Sequence, residues 1–96
     1  MLTTGICAVP SEVEQDAKAR EVLRAWVVNN GLVCALRPET WGDQGAWGIV
    51  LADVARHVAD AVKALNGADP ATTLARIRSL FVAELDKPTD TPTGHF

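Results

Sequence analysis

Asp53, Arg56, His57 and Asp60 are the residues whose types and spacing come nearest to catalysis. On a helix, Asp53 lies four residues before His57 and Asp60 three after it. Either carboxylate could therefore reach the imidazole. A carboxylate beside histidine favours the protonated ring and fixes its orientation, as a general base or metal ligand needs. The plainer reading is a solvated helix face of alternating charge. No serine or cysteine nucleophile is placed beside the cluster by the sequence, and no further ligands complete a metal site. The plainer reading is preferred, so neither catalytic nor metal-ligating residues are assigned.

A second grouping could bind an anion. Arg24 and Arg37 are expected to face each other across a β-hairpin, where like charges destabilise unless an anion lies near them. Glu21, Glu39, a partner's carboxylate or a phosphate-like ligand could serve. Trp41 and Trp47 bracket a glycine-bearing helix start, Gly42-Asp43-Gln44-Gly45-Ala46, which could line a pocket with free backbone N–H groups. More often such tryptophans anchor a loop on a core. Gly42, Gly45 and Gly48 do not form a phosphate-binding loop, because no Lys-Ser/Thr follows them.

These residues depend on a few elements for their placement. Residues 22–28 and 32–36 are rich in strand formers and flank Asn29-Asn30-Gly31. Asn-Gly tolerates positive φ at both turn positions, so the turn is placed at Asn30-Gly31. That register pairs Val27 with Cys34, Ala25 with Leu36 and Arg24 with Arg37. Leu23, Ala25, Val27, Leu32, Cys34 and Leu36 then share an apolar face. Trp26, Val28, Val33 and Ala35 lie on the other. Asp43 is expected to cap a helix running to about Leu65. Its apolar residues, Trp47, Val50, Leu51, Val54, Val58, Ala61, Val62 and Leu65, recur every three or four positions. Gly67 suits a left-handed cap. Asp69-Pro70 opens a second helix with the stripe Leu74, Ile77, Phe81 and Leu85, and Pro88 ends it. Ser11 to Glu14 fits a capping box and so a short helix.

The predicted fold class is α+β. The hairpin is followed by two amphipathic helices packed on one of its faces, with a four-stranded sheet as one way of pairing hairpins across a dimer. Residues 1–20 are expected to be a flexible segment, 21–87 one compact domain and 88–96 a disordered tail that includes His95.

The chain has 96 residues, 48% of them hydrophobic, enough for one domain with limited burial. Cys7 and Cys34 form no zinc spacing and read as reduced thiols. Net charge is −3, which disfavours a phosphate-backbone partner and hence nucleic acid. No segment has the length of a membrane span, and the first ten residues carry no secretory pattern, so a cytoplasmic location is expected.

Leu-Arg-Ala-Trp (23–26), Leu-Arg-Pro (36–38), the long run Trp41 to Ala59, Leu-Ala-Arg-Ile-Arg (74–78) and Lys-Pro-Thr-Asp (87–90) form a set of distinctive stretches. Together they resemble a family of small bacterial proteins catalogued as a domain of unknown function. The resemblance spans residues 22–90. It implies one compact bacterial domain and lends no residue a role.

Two helices cover only one face of a hairpin, and a lone hairpin has open edges. The remaining apolar face, with Trp26 beside Arg24 and Arg37, points to a non-enzymatic interaction module that forms a homodimer or takes another protein partner. A small anion-binding protein using Arg24, Arg37 and Trp41–Trp47 is the alternative. An enzyme built around His57 ranks last, and no cofactor is expected.

Overall fold

The computed structural model describes residues 7–95, so the expectations for residues 1–6 and for Phe96 lie outside the described residues. The elements in chain order are α1 (Ser11–Glu14), β1 (Leu23–Val28), β2 (Gly31–Leu36), α2 (Ala46–Asn66), α3 (Pro70–Asp86) and β3 (Thr93–His95). The class is α+β, as expected. The sheet order is β1-β2-β3, with β1 and β2 antiparallel and β3 parallel to β2.

The hairpin turn lies one residue earlier than the sequence suggested. Asn29 and Asn30 both have positive φ, 51° and 65°, the requirement for the two central positions of a type I′ turn. Gly31 is thereby the first residue of β2. Val28 pairs with Gly31, Trp26 with Val33, Arg24 with Ala35 and Leu23 with Leu36. Each partner differs by two residues from the expected register, so both faces keep the residues assigned to them. The expected pairing of Arg24 with Arg37 is lost. Arg37 instead donates its backbone N–H to the Val22 carbonyl at 3.0 Å.

The helices follow their caps. Asp69 accepts from the Thr72 backbone N–H at 3.1 Å and from its hydroxyl at 2.9 Å, which starts α3 at Pro70. Gly67 takes the left-handed conformation, φ 78°, and donates to the Lys63 carbonyl to end α2. At the other end of α2 the cap differs from expectation. Gly45 occupies the N-cap position, and Asp43 acts one step earlier by accepting from the Gly45 N–H at 2.8 Å. α1 also starts one residue earlier than a capping box requires. Pro10 is its N-cap, and the Ser11 hydroxyl donates to the adjacent Glu12 side chain rather than capping the turn.

α2 and α3 pack against each other. Their seam contains Ala59, 2% exposed, with Ala55, Val62, Leu74 and Ile77 half-buried around it. The small side chain of Ala59 lets the two helices approach. The expected cover of the hairpin by these helices is absent within the chain. No Cα of either helix lies within 8 Å of a Cα in any strand. Residues 7–21 are also exposed throughout, so this part of the N-terminal segment does not cover the hairpin either.

The tail departs from its expected disorder. Thr93–His95 pairs with Val33–Ala35, and the backbones approach closely at Gly94, where a Cβ would overlap the Cys34 carbonyl oxygen. Gly94 also has φ 145°, so only glycine suits this position. Sheet and helix pair are thus joined by two tethers, residues 37–45 and 87–92. Among the described residues Ala59 is the one apolar side chain that is fully buried.

Candidate functional site

Glu21, just before β1, organises the arginine pair. Its carboxylate forms an ion pair with the Arg24 Nε, and its backbone carbonyl accepts from the Arg37 Nε at 3.2 Å. Both arginines remain exposed. The corrected register places them diagonally on one face rather than directly opposite, and Glu21 joins them. The Glu21 carboxylate, one of the anions considered from the sequence, pairs with Arg24 alone, and Arg37 meets only the Glu21 backbone. An exposed pair of this kind stabilises the fold little. Around it lies an open depression of about 350 Å³ lined by Glu21, Arg24, Arg37, Glu39 and His95, among others. His95 reaches its rim because β3 pairs with β2. The Glu21–Arg24 pair is local in sequence, whereas His95 as a neighbour has no local signal because its place depends on the β2–β3 pairing.

Trp41 and Trp47 lie together at the start of α2, with ring centroids 5.4 Å apart and planes crossing at 84°. This edge-to-face arrangement is the favoured aromatic contact. The Trp47 Nε1 donates to the Pro38 carbonyl at 3.2 Å, and the Thr40 hydroxyl donates to the Arg37 carbonyl at 2.7 Å. The Arg20 guanidinium reaches the Thr40 carbonyl at 3.4 Å. The tryptophans thus anchor the tether between sheet and helices. They do not bring the Arg24–Arg37 pair and the start of α2 into one pocket.

Asp53, Arg56, His57 and Asp60 are all exposed on α2. None of the hydrogen bonds or ion pairs among the described residues joins them, and they line neither of the two main depressions. No group of three or more potential metal ligands is found among the described residues. The cluster has the geometry of a solvated helix face.

The larger feature is apolar. On one sheet face Val27 is 78% exposed and Leu32 is also exposed, with Leu23, Cys34 and Leu36 half-buried. On the other, Trp26 and Val28 are exposed. The helix pair presents Leu51, Val54, Val58 and Leu65 from α2, with Leu80, Phe81 and Leu85 from α3. The seam between the helices closes near their connection, and these side chains remain uncovered beside it and beyond it. No helix of the described residues is long and apolar enough to cross a membrane.

Comparison with known proteins places the chain in a family. Residues 7–89 match the family described as a domain of unknown function, DUF5076. No curated protein matches the chain significantly. A solved structure from the photosynthetic bacterium Rhodopseudomonas palustrus is similar, with 36% identity and a TM-score of 0.73. The match covers 97% of this chain and 95% of that one, a protein described provisionally as a pyruvate dehydrogenase. With its family match spanning most of its length, the chain belongs to the DUF5076 family of domains of unknown function.

Proposed function

We propose that this protein is a self-associating, non-enzymatic interaction module of the bacterial cytoplasm, and that its working form is a homodimer. The observation behind this reading is the missing core. The accessible surface is 8393 Å², whereas a folded monomer of 10.2 kDa should expose about 5,300 Å². Part of the excess, roughly 3,000 Å² per chain, belongs to the exposed residues 7–21, and the rest lies on the sheet and helix faces, where an obligate dimer interface would bury upwards of about 2,000 Å² in total. The radius of gyration agrees, at 15.2 Å against about 12.5 Å for a compact chain of this length. One fully buried alanine among the described residues, with a set of half-buried side chains around it and in the sheet, makes a thin core to set against the conformational entropy of ordering the chain. A second copy could cover the surface that the chain leaves open.

The dehydrogenase description of the similar chain adds no enzymatic role here. The candidate titratable side chains around His57 lie on an open helix face and do not converge on a cleft. The anionic-ligand reading keeps one supporting observation, the depression beside Arg24 and Arg37. Its test is a thermal shift with phosphate, nucleotides and carboxylates. Stabilisation that is lost in Arg37→Ala would favour it.

The deciding experiment for the dimer is solution mass by size exclusion with light scattering across a wide concentration range. The expected result is a mass twice that of the chain, with an unfolding midpoint that rises with concentration. A monomer that unfolds cooperatively at every concentration would overturn the proposal.

A further inference from the structure

Resting on that dimer, we infer its geometry. The helix pair of each copy covers the Leu23/Val27/Leu32/Leu36 face of the other copy's sheet, in a reciprocal exchange about one two-fold axis.

The argument starts from the two uncovered surfaces. The sheet face contains only Leu23, Ala25, Val27, Leu32, Cys34 and Leu36, with no polar side chain to keep it in water. The helix pair offers a stripe, Leu51, Val54, Val58 and Leu65, that α3 leaves exposed. From Leu51 to Leu65 this stripe is about 21 Å long, and a six-residue strand is about 17–20 Å, so their lengths match. Helix on sheet is the layering that an α+β chain ordinarily makes within itself.

Here the chain does not make that contact within itself. Residues 37–45 form an ordered spacer, pinned by the Trp47–Pro38 and Thr40–Arg37 hydrogen bonds and by the Trp41–Trp47 contact. Folding the helices back onto their own sheet would disturb these contacts. Symmetry then selects between the two ways of using a second copy. A surface that meets its own copy must lie on the two-fold axis. Sheet on sheet with helix on helix would put two separately tethered surfaces on that one axis. In the exchange, the surfaces lie to either side of the axis, and one operation covers both.

Charge-swapped variants of the full chain test this geometry. Val27→Asp places a charge on the sheet face, and Val54→Lys places one on the helix stripe. Each variant alone should dimerise roughly a hundredfold more weakly, or worse, because it buries an unpaired charge at two places in the dimer. If a variant does not fold alone, unfolding the two in urea and refolding them together still gives a reading. The mixture of Val27→Asp with Val54→Lys should recover both helicity and the mass of a dimer. Its heterodimer has one unaltered sheet–helix contact, and the other brings opposite charges together. The mixture of Val27→Asp with Val27→Lys should not recover. Recovery of that second mixture in place of the first would mean that sheet faces pair with each other, and would overturn the exchange. Dimers unaffected by Val27→Asp or Val54→Lys would overturn it too, while leaving the homodimer standing. A monomeric wild-type chain would remove both proposals together.

Discussion

The helix pair and the sheet reach their forms by different routes. α2 and α3 are defined by local chemistry, with Gly67 ending one helix, Asp69 starting the next and Ala59 buried where they meet. The sheet has only its hydrogen-bond ladder and a turn. Its side chains are exposed or half-buried on both faces. A helix satisfies its backbone within one segment, whereas a strand needs neighbours and a covered face before it is stable. The sheet should therefore depend on a second copy more than the helix pair does.

The largest effect is expected where the helix pair has its one internal fixture. Replacing Ala59 by leucine forces extra methyl groups into the seam and should cost about 1–3 kcal/mol. Urea unfolding followed by helicity would measure it. A loss well below that range would mean that the helices separate readily and that their stability also comes from elsewhere, which would erase the contrast with the sheet.

A smaller effect, of opposite sign, is expected in the sheet. Asn30 has φ 65°, a conformation that glycine adopts without steric cost. Asn30→Gly should stabilise the hairpin by a few tenths to about 1 kcal/mol. Amide exchange at Trp26 and Val33, paired across the ladder, should slow more than exchange in α3, because the sheet opens locally while the dimer stays together. Equal slowing in both regions would mean that sheet and helices open only as one unit, and would erase the contrast between them.

The same contrast explains what was legible in the sequence. Helix ends were readable from Asp69, Gly67 and Pro88 because capping is local. The hairpin and the composition of its two faces were readable from alternation and Asn-rich turn chemistry. The register was not, because Asn29-Asn30 and Asn30-Gly31 both fit a type I′ turn, and moving the turn by one residue keeps the alternation. Arg24 and Arg37 stand opposite each other only in the Asn30-Gly31 register, and in the observed one Arg24 faces Ala35. β3 was illegible, because a three-residue polar strand has no pattern of its own and exists only through Cys34 and its neighbours. The lack of helix-on-sheet cover could not be read either. An amphipathic stripe such as Leu51–Leu65 says that something must cover it, and is silent on which chain supplies the cover.

The smallest effect concerns the join between the two regions. Glu84, near the end of α3, accepts from the Thr89 backbone N–H at 2.9 Å and from its hydroxyl at 2.8 Å. The backbone N–H, foremost, and the hydroxyl hold the Glu84 carboxyl below its ordinary value, against a slight opposing desolvation. A carboxylate lowered on folding contributes stability that is present above its unfolded value and is lost as pH falls through the folded one. The turn that sends residues 88–92 towards β3 should accordingly loosen on acidification below the ordinary glutamate range and be unaffected near neutrality. Glu84→Gln can still accept through its amide oxygen, so it should flatten this pH dependence without abolishing the turn. Amide exchange at Thr89 and across Val33–Ala35, compared between the two proteins over that acid range, would measure it. If Thr89 loosens with acid while the β2–β3 pairing does not, β3 is held by the sheet alone. If both loosen together, the Glu84 clamp is what carries the order of the helix pair across to the sheet edge.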